Sequence, residues 1–204
     1  MSLLMITSHY AYKTFMTQIT QRYLILVYKS KQIAFISFLM NKYAFNLTDE
    51  DLEKRINHAV ELFKEGYNCS QSVVAAFADL YGYTPDQAFK MSSSFGGGIG
   101  RMRQTCGAAC GMFLLVGLDC GAVEGSDRAG KSHNYQEVQK LAAKFEEENG
   151  SIICAELLGL KQPEHSFQAE KRTTEYYKKR PCVKMVETGA RLFADYLKSK
   201  STNL

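Results

Sequence analysis

From about residue 47 onward, apolar residues recur at helical spacing. In LTDEDLEKRINHAVELFKEG, Leu52, Ile56, Ala59, Val60 and Phe63 fall at three- and four-residue intervals. Thr48 stands where an N-cap belongs, acids fill the first turn, and Gly66 is a stop signal. YNCSQSVVAAFADLYG predicts a second helix, with Asn68 or Ser70 near its start and Gly82 at its end. TPDQAFKMSSSF carries a capping-box pattern, with Thr84 as cap, Pro85 at the first helical position and Gln87 three residues on. QTCGAACGMFLLVGL is a small-residue helix that is apolar on nearly every side, which predicts a central position. Residues 121–132 read as a loop, and NYQEVQKLAAKFEEENG as an amphipathic helix closed by Gly150. SIICAELLGL predicts a short helix, residues 161–180 a polar, basic connection, and CVKMVETGARLFADYLKSK a closing helix. No alternating strand pattern interrupts this series. The fold class is therefore all-α, a single bundle of about six or seven helices over residues 46–200.

Residues 1–45 differ. They are apolar, aromatic and basic, with Lys13, Arg22, Lys29, Lys31 and Lys42 and no acid. Those cations interrupt every apolar run, and a spanning helix needs roughly 20 consecutive apolar residues. No small-residue cleavage site follows an apolar block, so the segment does not read as a signal peptide. Membrane association of a basic amphipathic surface and a docked extra helix stay open. The favoured reading is an N-terminal extension outside the core fold, with Met40-Asn41-Lys42 as a native start. Of the net charge of +4, this segment supplies +5, which leaves −1 for the remainder. That excludes the basic footprint of a nucleic-acid binder in the main body. The absence of an export signal points to the cytoplasm, where thiols stay reduced.

The chemistry lies in six cysteines, Cys69, Cys106, Cys110, Cys120, Cys154 and Cys182. Packing as small hydrophobes accounts most simply for Cys110 and Cys120. The other four share a placement. Cys69 follows Gly66-Tyr67-Asn68, Cys106 follows the glycine stretch, Cys154 follows Gly150-Ser151, and Cys182 follows Pro181. Each therefore falls in the first turn of a predicted helix. The open N–H groups and positive dipole end found there favour thiolate, which is both the redox nucleophile and the metal ligand. The gaps between the four match no short ligand pattern such as C-x2-C.

FGGGIG has the glycine density of a phosphate loop, but a helix precedes it where a strand is required, and no Gly-Lys-Ser/Thr ending follows. The glycines read instead as a tight turn that lets one backbone approach another. Arg101 and Arg103 could lower the Cys106 pKa or simply be solvated. The basic run KRTTEYYKKRPC before Cys182 reads as a solvated loop, with docking of an acidic redox partner or an anion as the sharper alternative. His58, His133 and His165 form no ligand pattern, and Glu146–Glu148 is a solvated helix end. Tyr67 reads as core packing beside Cys69.

GYNCSQSV, SFGGGIGRMRQTCGAACG, GSIICAELLG and PCVKMV, in that order, resemble the C_GCAxxG_C_C family of redox-active proteins. The resemblance spans about residues 50–197. It implies that the family cysteines are Cys69, Cys106, Cys154 and Cys182 and that the Cys-Gly-Ala-x-x-Gly motif is Cys106, Gly107, Ala108 and Gly111. Cys110 and Cys120 are additions to that pattern. One turn beyond Cys106, Cys110 could be a fifth thiol at the site.

Three functions follow from this set. The first is a redox protein whose four family cysteines hold an iron–sulfur cluster for electron transfer. The second is a metal-free thiol–disulfide oxidoreductase with Cys106 as its low-pKa catalytic thiol. The third is a structural or binding module with tetrahedral zinc. A partner protein or a small-molecule oxidant or reductant would exchange the electrons. The small-residue helix could serve as a homodimer face as readily as an internal one.

Overall fold

In the computed structural model, the described residues are 47–161 and 166–202. The N-terminal extension of residues 1–45 and His165 lie outside them. Among the described residues there are eight α-helices and two short 3-10 helices. No strand is present among these residues, only an isolated antiparallel bridge between Thr105 and Ile153. The all-α expectation holds, with slightly more helices than the periodicity suggested. No helix among the described residues is long and apolar enough to cross a membrane.

Local chemistry sets most of the boundaries. Helix α1 (Asp49–Glu65) starts on the Thr48–Asp51 capping box and stops at Gly66, whose φ of 112° is available to glycine at no steric cost. Helix α2 (Cys69–Ala75) starts on Asn68, whose side chain accepts from the Ser70 and Gln71 amides. It is shorter than its apolar pattern predicts. After Ala75 the chain tightens into a 3-10 turn, Ala78–Tyr81, before Gly82 ends it. Helix α3 (Pro85–Ser92) has the Thr84–Gln87 box and Pro85 where the sequence places them.

Helix α4 (Gly107–Cys120) is the axis of the fold, packed against α2, α5 (Arg128–Asn149) and the closing helix α8 (Cys182–Thr202). Its small residues are used internally. A Cβ on Gly111 would lie 3.0 Å from the Ser70 carbonyl, and one on Gly189 of α8 would lie 3.1 Å from the Ala108 carbonyl. The stripe therefore brings two neighbouring helices close. Helix α5 begins earlier than the sequence suggested, because the Asp127 carboxylate caps it by accepting from the Gly130 amide at 2.8 Å. Helix α6 (Cys154–Leu157) is a single turn, and α7 (Thr174–Lys179) is a turn and a half inside the expected connection. Phe63, Phe77, Phe145 and Phe193 are fully buried. Each contributes up to about 3 kcal/mol of transfer free energy, so the core needs no disulfide.

The far end of α4 is pinned by a buried carboxylate. Asp119, 1% exposed, accepts from the Tyr196 hydroxyl at 2.6 Å and the Tyr81 hydroxyl at 3.2 Å, and it pairs with Lys200. Cys120 sits beside this cluster, with its sulfur accepting from Asn134 at 3.5 Å. Removing one member of such a cluster leaves buried partners unsatisfied. Asp119→Ala should lower unfolding free energy by about 3 kcal/mol in chemical denaturation at neutral pH, with no change in the reactivity of Cys182.

Candidate functional site: four thiols around one arginine-lined cavity

The four family-pattern cysteines sit where the sequence places them, at helix starts. Cys69, Cys154 and Cys182 are the first residues of α2, α6 and α8, and Cys106 is the residue that opens α4. The structure brings all four together around a cavity of about 300 Å³. Cys69, Cys106 and Cys154 are buried, whereas Cys182 is partly exposed.

Backbone pairing joins two of them. The Cys106 amide donates to the Ile152 carbonyl at 2.8 Å, and the Cys154 amide donates to the Gln104 carbonyl at 2.6 Å. These bonds clip the start of α4 to the start of α6. The glycine stretch closes the arrangement. Residues Gly97 to Arg101 all have positive φ, between 56° and 74°, and Arg103 follows at 61°. Side-chain-bearing residues rarely adopt this conformation, so Ile99, Arg101 and Arg103 are held there at a cost. The close approach explains why glycine occupies Gly98. A Cβ there would meet the Cys154 Cβ at 2.5 Å, and one on Gly107 would meet the Phe95 carbonyl at 2.8 Å. The stretch is a turn for close backbone approach, as its sequence suggested.

Of the basic residues, Lys171, Lys178 and Lys179 are exposed as a solvated loop would have them, whereas the arginines turn to the cavity. Arg101, Arg103 and Arg180 converge on the Glu170 carboxylate at 3.1, 3.5 and 2.6 Å. Arg103 is 3% exposed and also bonds the Cys154 sulfur. Arg172 lies over the rings of Phe63 and Tyr176, each at 4.6 Å, and donates to the Tyr67 carbonyl at 3.3 Å. Tyr177 of α7 anchors this segment through its hydroxyl, which donates to the Phe63 and Lys64 carbonyls. Tertiary anchoring therefore turns a polar connection into one wall of the cavity. Tyr67 itself stacks on Phe89 at 4.0 Å, in line with a packing role, and Tyr176 is the tyrosine at the cavity. Neither Tyr176 nor Glu170 carries a local sequence signal that would single it out. His58, His133 and Glu146–Glu148 are exposed.

The electrostatics distinguish the four thiols. Burial pushes Cys106 up to about 12, although the Ala108 and Ala109 amides oppose the shift. Burial also raises Cys154, against the pull of Arg103. Cys182 goes the other way, down to about 7, because the Cys69 thiol donates a hydrogen bond to it and Arg180, Arg172 and Arg103 stabilise its charge. Cys69, as the donor of that pair in a buried site, is held well above the usual thiol range. The expectation that Cys106 is the low-pKa thiol is thus corrected. Every helix start offers dipole and amides, but only Cys182 adds a thiol donor and a group of guanidinium ions. Cys110 is corrected as well. It does not line the cavity, its sulfur contacts the Thr105 carbonyl at 3.8 Å, and burial lifts it to about 11. Cys120 lies at the other end of α4, on the order of 20 Å along the helix.

A family model described as "Putative redox-active protein (C_GCAxxG_C_C)" matches residues 67–196. The chain belongs to the C_GCAxxG_C_C family. The match contains the glycine stretch, all four cysteines and Glu170 with its arginines, so the whole cavity lies within the family region. No curated protein and no solved structure matches the chain.

Three outcomes follow from this geometry. Iodoacetamide should label Cys182 first, with a rate that rises through pH 7 as the thiolate forms, while Cys106 stays unreactive until the pH is several units higher. Arg180→Gln should move the Cys182 midpoint upward, because a stabilising positive charge is lost. Gly98→Ala should cost about 2 kcal/mol or more in stability, since it adds both a left-handed alanine and a clash with Cys154; thermal unfolding reads this directly.

Proposed function

We propose that this member of the redox-active family exchanges electrons by dithiol–disulfide chemistry, with Cys182 as the attacking thiolate and Cys69 as the resolving thiol. The observation that carries the reading is the placement on one cavity of a partly exposed Cys182, next to Arg180 in the chain, and a buried Cys69, with the first thiol lowered to about 7 and the second held well above the usual thiol range. An accessible thiolate attacks well, and a buried neighbour in contact with it resolves the mixed disulfide before another molecule can.

The electrons balance as follows. The Cys182 thiolate attacks one sulfur of an oxidant disulfide, forming a mixed disulfide and expelling one thiolate. Cys69 then loses its proton and attacks the Cys182 sulfur, which forms the Cys69–Cys182 disulfide and expels the second thiolate. The oxidant gains two electrons and the dithiol loses two; starting from the Cys182 thiolate, Cys69 gives up one proton, which one expelled thiolate takes up, while the other leaves as thiolate or is protonated by solvent. Arg180 and Arg172 stabilise the thiolate before attack. Cys106 and Cys154 stay protonated and line the cavity wall.

No three His, Cys, Asp or Glu side chains among the described residues stand where they could hold one metal ion. No step of this reading is routed through a metal. An iron–sulfur cluster on Cys69, Cys106, Cys154 and Cys182 is the competing reading. Four cysteines and four arginines lining one cavity favour it. It requires opening the Cys69–Cys182 contact and deprotonating all four thiols.

One preparation separates the two. The full chain is purified without oxygen, then examined by visible spectrum, iron and sulfide analysis, and thiol count. The expected result is a colourless protein that loses two thiols to a disulfide oxidant and regains them with dithiothreitol, with the Cys69–Cys182 peptide pair found by mass spectrometry. Iron and sulfide with visible charge-transfer bands, lost in Cys106→Ala, would overturn the dithiol reading in favour of the cluster.

A further inference from the structure

Arg172 is held beside the thiols by surfaces that carry no net charge. Its guanidinium lies over the rings of Phe63 in α1 and Tyr176 in α7, each at 4.6 Å, and its Nη2 donates to the Tyr67 carbonyl at 3.3 Å. Its Nη1 is buried and makes no hydrogen bond among the described residues, so the ring faces stand where an acceptor would. An aromatic face attracts a cation through its quadrupole yet adds no charge of its own. A cation held in this way keeps its field for a neighbouring thiolate, whereas a carboxylate partner would oppose that field.

The Tyr176 ring also meets a second cation. The Arg180 guanidinium lies over it at 4.9 Å. Tyr176 and Arg180 are four residues apart across the end of α7, a spacing that sets side chains next to each other. Arg180 is in addition forked on the Glu170 carboxylate, at 2.6 and 2.7 Å. The ring itself is fixed from the side. Tyr177 packs edge-on against it at 5.3 Å, and the Tyr177 hydroxyl donates to the Phe63 and Lys64 carbonyls of α1. Arg172, Tyr176, Arg180 and Cys182 line the same cavity, and both guanidinium groups favour the charged form of Cys182.

We propose that Tyr176 is a positioning residue for Cys182, with a ring face that holds the Arg172 and Arg180 guanidinium groups where they stabilise the attacking thiolate. The proposal takes Cys182 as the attacking group from the dithiol reading, while the ring contacts stand without it. The face does the holding, so the hydroxyl is dispensable. Removing the ring frees two long side chains to turn to solvent, and positive charge leaves the sulfur. The sign of the effect separates this from packing. If Tyr176 only filled space, its loss would admit water, and hydration of the thiolate would lower the Cys182 midpoint. Loss of held cations raises it. The Cys69, Cys106 and Cys154 thiols and Arg103 face Cys182 from the other walls of the cavity, and all four keep their identity in the variants below.

The test is the pH profile of iodoacetamide labelling at Cys182, read by peptide mass spectrometry on the reduced full chain at fixed salt. Each profile gives a midpoint and a high-pH plateau rate. Tyr176→Leu should raise the midpoint by about half a unit, roughly a twofold loss of rate at pH 7, with the plateau within about twofold of wild type. Tyr176→Phe keeps the ring face and should keep the wild-type midpoint. Arg172→Gln should raise the midpoint by about one unit, and adding Tyr176→Leu to it should then raise it by less than Tyr176→Leu does alone. Melting curves show that each variant is folded, and Tyr176→Met, which keeps bulk without a ring, takes the place of a leucine variant that does not fold. A midpoint unchanged or lowered by loss of the ring, or raised equally in Tyr176→Phe, would overturn the proposal. So would shifts that add in full to both Arg172→Gln and Arg180→Gln. The dithiol reading fails separately, if no Cys69–Cys182 disulfide forms with a disulfide oxidant. The difference between the Tyr176 variants and wild type still reads the ring in that case.

Discussion

Positive charge at one point is what the molecule is arranged around. The starts of α2, α4, α6 and α8 meet at the cavity, and the long helices α4 and α8 bring the positive end of a peptide dipole to it. Four arginines add to this. Such a site needs acceptors in the same small volume, and among the described residues sulfur and the Glu170 carboxylate supply them. The Cys106 sulfur accepts from the Ala108 and Ala109 amides, Arg103 bonds Cys154, and Glu170 binds three guanidinium groups. The cysteines are thus electrostatic partners of the fold as well as its reactive groups.

That constraint explains the glycines. Bringing the loop, α2, α4 and α6 to one place requires backbones to pass at distances a side chain would block. Gly96 lies against Asn68, Gly98 against Cys154, and Gly107 against Phe95 and Cys69. The unusual backbone of Gly97–Arg101 is the geometric result, and the side-chain-bearing residues within it are retained by their surroundings. Arg101 is held by Glu170 and by the Ser166 carbonyl, which its Nε reaches at 3.0 Å. Local strain is offset by contacts with a segment more than sixty residues away.

The same cavity separates four chemically identical groups into different states. Burial alone would raise every thiol. The outcome is one thiol lowered to about 7 and three raised, because Cys182 combines a hydrogen-bond donor in Cys69, nearby arginines and partial exposure. A redox site needs this asymmetry, since a nucleophile and its resolving partner must differ in protonation to act in order. At the other end of α4 the Asp119 cluster ties that helix to the C-terminal part of α8, away from Cys182 at its start.

The helices were legible because their signals are local. Thr48 with Asp51, Thr84 with Gln87, Pro85 and Gly66 act within four residues of themselves, and period and capping need nothing from afar. The position of four cysteines at four helix starts was legible for the same reason, as was the central place of the small-residue helix. The early start of α5 was missed, since Asp127 resembles any loop acid until its carboxylate caps Gly130. The sequence by itself determined an all-α fold, its cysteine set and its family. Only the tertiary structure decided that Cys182 and not Cys106 carries the lowered pKa, and that Arg172 and Arg180 of the basic run before Cys182 line the cavity. Those outcomes depend on burial and on pairings such as Arg101 with Glu170, between residues far apart in the chain, which no local pattern encodes.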